Sequence, residues 1–167
     1  WMDVFGDSEP MIRLLSTFFS IIGVGAVYRL AADQFGVGTG LAAALLLALT
    51  DNDIMLAREA RHYAQMAAFG ALSSLFYLRY ARRPARESGI AWLLTSLGLM
   101  YTHYLGALIL AVQGLHTLIL VRPARRTLDL LLRLFVVGVG WLPWALVFLN
   151  QSLVRYTQPR LFQSTLP

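Results

Sequence analysis

The sequence predicts an all-α, polytopic transmembrane helical bundle of about six spans with both ends on the outer side. Composition is the first reason: 57% of the residues are hydrophobic and 14% charged, with a mean hydropathy of +0.60. Soluble domains sit near 45–50% apolar and ~25% charged. The second is a series of apolar runs, at about 14–28, 36–50, 62–80, 89–104, 105–121 and 128–149. The third is the way the arginines sort between the runs. All 14 basic residues are arginine, and they cluster in short loops with apolar flanks. That pattern, despite a net charge of +5, is unlike the basic face of a nucleic-acid binder.

Several runs are short for a hydrocarbon core of ~30 Å, which needs about 20 helical residues. Their helices are expected to extend into the interfaces or to pack as short spans inside the bundle. The stretch from Gly89 to Val121 contains no charged residue. As one helix it would run about 50 Å, far beyond the hydrocarbon core. The polar group Tyr101-Thr102-His103-Tyr104, followed by Gly106, therefore marks a hairpin turn.

Two arginine clusters bracket that hairpin: Arg79, Arg82, Arg83 and Arg86 before it, and Arg122, Arg125 and Arg126 after it. The positive-inside rule puts both in the cytoplasm, which requires an even number of crossings between them. The same reasoning puts Arg29 to Gly36 inside, and Trp1–Arg13, Thr50–Tyr63, the Tyr101–Tyr104 turn and Asn150–Pro167 outside. Six of the nine acidic residues then fall outside: Asp3, Asp7, Glu9, Asp51, Asp53 and Glu59. Acidic residues contribute little to topology, so a functional outer face is one cause, and plain solvation of loops such as Asp3 and Asp7 is the other.

The most informative outer stretch runs from Thr50 to Tyr63. Thr50, Asp51 and Asp53 are N-cap residue types, which predicts a helix starting near Ile54. Its projecting turns would carry Glu59 and Tyr63 on one face and Arg58 and Arg61 on an adjacent one. Ionisable groups at the membrane boundary are expensive facing lipid and are expected to face the bundle or a wet cavity. A guanidinium is a planar fork suited to phosphate, and a polyprenyl-phosphate headgroup would sit at this depth. The alternative is a local Glu59–Arg61 pair closing the helix end, with Arg58 snorkelling.

His103, in the outer turn, can bond a substrate hydroxyl or phosphate, or be a satisfied structural histidine. His116 lies among apolar residues and reads as an interhelical hydrogen-bonding residue. His62 reads as an interface residue with no special task. Three histidines without metal-ligand spacing give no zinc signal, and the lack of cysteine excludes a cysteine-ligated metal, so no metal site or cofactor is assigned to these residues. Trp141, Pro143 and Trp144 fit an aromatic belt and a proline kink in the last span.

Several of these pieces occur together in one family. Trp1…Phe5-Gly6-Asp7-Ser8-Glu9…Ile12-Arg13-Leu14-Leu15-Ser16 resembles a juxtamembrane segment of the GT-C glycosyltransferases related to protein O-mannosyltransferases and aminoarabinose transferases. Tyr28-Arg29-Leu30-Ala31 with Phe35-Gly36 resembles a hairpin of that family. Arg58-Glu59-Ala60-Arg61-His62-Tyr63-Ala64 is similar to its motif around a Glu–Ala–Arg core, and Tyr101-Thr102-His103-Tyr104 to its outer turn. These motifs cover the chain from Trp1 to about Tyr104; the remainder matches in hydropathy only.

The resemblance implies metal-independent or metal-assisted transfer of a sugar, with inversion, from a polyprenyl-phosphate donor to a glycan, lipid or protein acceptor outside the cytoplasm. It implies an integral membrane protein, in the inner membrane of a bacterial cell. The family's catalytic base is an aspartate in the loop after the first transmembrane helix, which would lie upstream of Trp1. Residues 1–167 are thus expected to be one transmembrane domain of a longer enzyme, inactive by itself, and the catalytic residue is unassigned here. The substrate-binding residues expected are Arg58 and Arg61, neutralising the departing phosphate, with Glu59, Tyr63 and His103 orienting donor or acceptor. A transporter or flippase for a lipid-linked saccharide is the rival reading. It predicts ionisable groups deep in the spans, whereas the charges inside the expected spans, Arg79, Asp129 and Arg133, lie near cytoplasmic ends. A scaffold subunit without a site is the third.

Overall fold

The computed structural model describes residues 9–50 and 62–157. These form six helices: α1 (Glu9–Phe35), α2 (Val37–Ala48), α3 (Tyr63–Arg82), α4 (Arg86–Thr102), α5 (Gly106–Leu120) and α6 (Ala124–Thr157). No strand occurs among the described residues, as a chain spanning lipid requires: each helix satisfies its own backbone hydrogen bonds.

The uncharged 33-residue stretch does fold as a hairpin. α4 ends at Thr102 and α5 begins at Gly106, with His103–Leu105 between them. Gly106 is needed there: a Cβ at this position would come within 2.6 Å of Leu99 Cγ and 3.1 Å of the Leu99 carbonyl oxygen. The α1–α2 hairpin turns on Gly36, whose φ of 98° is left-handed backbone that other residues adopt at a cost.

Length separates the helices. α1 and α6, with 27 and 34 residues, run about 40 and 51 Å. Within them Arg13–Phe35 and Ala124–Val147 are long and apolar enough to cross a bilayer. α2 has 12 residues, about 18 Å, and stops short of the ~30 Å hydrocarbon thickness. Among the described residues α3 opens at Tyr63, and the start near Ile54 that the cap residues suggest lies outside them. Its N-cap is His62, and the helix begins where the apolar run begins. Residues 51–61 lie outside the described residues.

α3 is the central element, packed against α1, α4 and α5, while α2 lies on α1 and α6 closes over α4 and α5. Phe19 meets Phe69 across α1 and α3 with centroids 5.5 Å apart. Tyr101 of α4 donates its hydroxyl to the Gly140 carbonyl of α6 at 2.8 Å. The apolar centre is Tyr77, Tyr80, Trp92, Val121 and Leu130.

Polarity is distributed inside-out. Leu14, Phe18 and Ile21 of α1, Leu108, Val112 and Leu115 of α5, and Leu132, Phe135 and Leu146 of α6 are all exposed, while Ser73, Ser96, Gln113 and Thr117 are buried. In water such an apolar exterior would be an association surface; against lipid it is the solvated face. The buried polar groups satisfy one another. Trp92 Nε1 donates to Gln113 Oε1 at 2.9 Å, and Gln113 Nε2 donates to Ser73 Oγ at 3.1 Å. Ser73 Oγ and Ser96 Oγ share a hydrogen at 2.9 Å, and Tyr77 OH lies 2.8 Å from Thr117 Oγ1. His116 Nδ1, 2.7 Å from Tyr77 OH, takes the interhelical role its surroundings predict.

The arginine-rich ends of α1, α3 and α6 gather at one end of the bundle. Arg79 Nε donates to Asp33 Oδ2 at 2.6 Å, joining α3 to α1. Tyr80 OH donates to Asp129 Oδ2 at 2.7 Å, and Arg126 donates to the Tyr80 carbonyl at 2.7 Å, joining α3 to α6. Arg133 lies 3.4 Å from Asp129 and 4.4 Å over the Tyr80 ring.

Candidate functional site

Opposite the arginine end, two segments meet: the N-cap of α3 and the turn between α4 and α5. His62 ends the segment that carries Arg58, Glu59 and Arg61 in sequence, and Tyr63 begins α3. The His62 ring stacks on that of His103 with 5.0 Å between centroids and 22° between planes. His103 stacks in turn on Tyr104 at 4.4 Å and 28°, and His62 contacts Tyr63 at 4.6 Å and 41°. Four rings thus form a continuous aromatic surface at this end of the bundle.

The turn that presents His103 follows from local chemistry. α4 closes with the His103 N–H donating to the Leu99 carbonyl at 3.1 Å, and the His103 carbonyl accepts from Gly106 N–H at 2.9 Å. The Leu105 N–H donates to His103 Nδ1 at 3.1 Å. A ring nitrogen that accepts cannot carry the proton, so in the neutral imidazole the hydrogen sits on Nε2. His103 therefore offers an Nε2–H donor, held in orientation by its own backbone and by the stacked rings. Neutral imidazole donors and tyrosine hydroxyls of this kind suit the hydroxyls of a sugar, and aromatic faces suit its C–H surface.

Of the substrate-binding residues expected from the sequence, Tyr63 and His103 belong to this surface. Arg58, Glu59 and Arg61 lie outside the described residues. His62, read from the sequence as having no special task, is the link between the two segments. The signal for it was its place directly after Arg61, but a contact with His103 depends on how α3 and α4 are packed. Among the described residues no group of three or more His, Asp or Glu side chains could hold a metal ion. Just below the stack, Ser74, Leu108, Ile109, Val112 and Gln113 line a lipid-facing groove of about 350 Å³ between α3 and α5.

No curated protein and no solved structure matches the chain. A family model does, the dolichyl-phosphate-mannose-protein mannosyltransferase model, over residues 1–149. The match extends past the motifs ending at Tyr104 and takes in α5 and most of α6. An all-helical bundle with an apolar exterior, and a match over nearly its whole length, lead to one assignment: the chain belongs to the dolichyl-phosphate-mannose-protein mannosyltransferase family of GT-C membrane glycosyltransferases.

Proposed function

We propose that the chain is the membrane domain of an enzyme that transfers a hexose, most simply mannose, from a polyprenyl-phosphate donor to an acceptor hydroxyl on the extracytoplasmic side. The observation that supports the reading is the stacking of His62, the residue next in sequence after Arg61, on His103, whose Nδ1 is held by the Leu105 N–H so that Nε2 is the donor. Arg58 and Arg61 neutralise the polyprenyl phosphate as it departs, an electrostatic role that grows as the donor bond breaks. Glu59, Tyr63 and His103 orient donor or acceptor hydroxyls. An aspartate supplied by the longer enzyme, upstream of Trp1, takes the proton from the acceptor as it attacks the anomeric carbon. The groove along Leu108, Ile109 and Val112 gives the donor's isoprenoid chain an apolar path up to that surface. The setting we infer is the inner membrane of a bacterial cell, with the histidine end outside and a glycan, lipid or protein as acceptor.

A transporter for a lipid-linked saccharide uses ionisable groups deep in its spans. The mid-bundle polar residues described above are uncharged and bonded to one another, and Arg133 is engaged by Asp129 and Tyr80. That favours the transferase. The test is sugar transfer from polyprenyl-phosphate mannose by the purified full-length enzyme. Arg61→Ala should lower the rate on the order of 10²–10³, as loss of one well-placed electrostatic donor does. Arg61→Lys should recover part, because a point charge lacks the planar fork. Full activity in Arg61→Ala, with wild-type thermal unfolding, would remove this motif from the donor site.

A further inference from the structure

The arginine end of the bundle holds a pocket of about 470 Å³ between α1, α3 and the start of α4. Asp33, Gln34, Arg79, Arg82, Arg83 and Ser88 line it. Three guanidinium groups against one carboxylate leave an excess of two positive charges. The three arginines are not equivalent. Arg79 is committed to Asp33, which also lies 3.6 Å from Arg29. Arg82 donates to the Asp33 carbonyl at 3.2 Å and to the Gln34 side chain, which leaves donors of its five unused. Arg83 is exposed and pairs with no carboxylate among the described residues.

The helix ends account for part of this charge. Arg79 and Arg82 lie in the last turn of α3, where cations complement the helix dipole. Arg83 does not share that role: it is the C-cap, with extended backbone, and stands beyond the helix at the mouth of the pocket. Around the same end Phe35, Val37 and Leu120 remain exposed, so the apolar belt reaches this level. A cationic pocket at the edge of an apolar belt is at the depth of lipid headgroups, where basic pockets between membrane helices take phosphate-bearing lipids.

We propose that this pocket binds the phosphate of an anionic glycerophospholipid in the leaflet at the arginine end. Arg83 and the spare donors of Arg82 grip the phosphate oxygens, and Arg79, fixed by Asp33, forms the positive wall behind them. A guanidinium fork matches the phosphate geometry, and the exposed Phe35 and Val37 border the lipid's acyl region. The site stands apart from the histidine end, and its failure would leave the transferase reading untouched.

The test places the full chain in nanodiscs of phosphatidylcholine alone or with added phosphatidylglycerol, reading retained lipid by native mass spectrometry and unfolding by temperature. The wild type should retain phosphatidylglycerol and unfold at a higher temperature with it. Arg83→Ala should weaken retention about fivefold, the effect of one arginine at a lipid surface. Arg83→Lys should keep part of the affinity. In phosphatidylcholine alone all variants should unfold like the wild type, since Arg83 lies outside the helix. Arg125→Ala, exposed on α6, should retain lipid like the wild type. Equal retention by Arg83→Ala and the wild type would overturn the proposal, and so would an equal loss in Arg125→Ala, which would signify surface charge alone. A matching shift produced by inorganic phosphate in phosphatidylcholine nanodiscs would overturn the lipid as the source.

Discussion

His62 and His103 lie ring on ring, 5.0 Å between centroids, so the N-cap of the central helix and the α4–α5 turn form one surface. With Nδ1 of His103 occupied by the Leu105 N–H, Nε2 is the ring nitrogen left to donate. If that donor meets a sugar hydroxyl, His103→Ala in the full-length enzyme should slow transfer about three- to tenfold, the worth of one neutral hydrogen bond. Unchanged transfer with unchanged unfolding would take His103 out of substrate contact.

Glu59→Gln separates two roles for that carboxylate. If Glu59 only anchors a neighbouring arginine, the amide should keep much of the activity and lower stability slightly. If it contacts the sugar or acceptor as an anion, activity should fall as far as in Arg61→Ala. Transfer assays on the two purified variants, side by side, decide between them.

Gly106→Ala should be among the most damaging small changes in the chain. The added Cβ would run into Leu99 at 2.6 Å, and the backbone oxygen of Leu99 at 3.1 Å leaves little room to yield. A loss of about 1–3 kcal/mol is expected from overpacking of this kind. It should appear as a lower unfolding temperature in detergent, accompanied by reduced transfer as the His103 turn is displaced.

Topology can be read by labelling, because the chain has no cysteine of its own. In intact cells Thr102→Cys should react with an impermeant thiol reagent from outside, and Ala85→Cys only after permeabilisation. The reverse pattern would invert the bundle and move the histidine surface to the cytoplasm.

Gln113→Leu should destabilise more than Ser96→Ala. Ser96 gives up one interhelical bond, about 0.6 kcal/mol in a membrane bundle. Gln113 is both acceptor for Trp92 and donor to Ser73, and its loss leaves the Trp92 N–H buried without a partner, at about 1–3 kcal/mol. Thermal unfolding of the two variants checks the order.

The α4–α5 hairpin was legible because 33 uncharged residues exceed any single crossing, and its turn fell where the polar residues sit. The arginine loops were legible for the same kind of reason. The pairing of Arg79 with Asp33 was not, because it depends on which face α1 turns to α3. The helix start that Thr50, Asp51 and Asp53 suggest near Ile54 lies outside the described residues, among which α3 opens at Tyr63, beside His62. The interior polar residues carried a usable signal, since Gln113 and Thr117 are four apart on one face of an otherwise apolar helix. That spacing implies a shared partner surface but not its identity, which is Trp92, Ser73 and Tyr77.

The chain of bonds through Gln113 also limits what can move. Sliding α5 by one residue would shift its side chains about 1.5 Å and swing them about 100° around the axis. The contacts of Gln113 with Trp92 and Ser73, and of Thr117 with Tyr77, would then break together, with no water at that depth to replace them. α3, α4 and α5 therefore act as a keyed block with a single register. Piston strokes within that block are ruled out as a way of admitting a donor lipid. Motion elsewhere in the bundle falls to α1, α2 and α6, which lie outside that key.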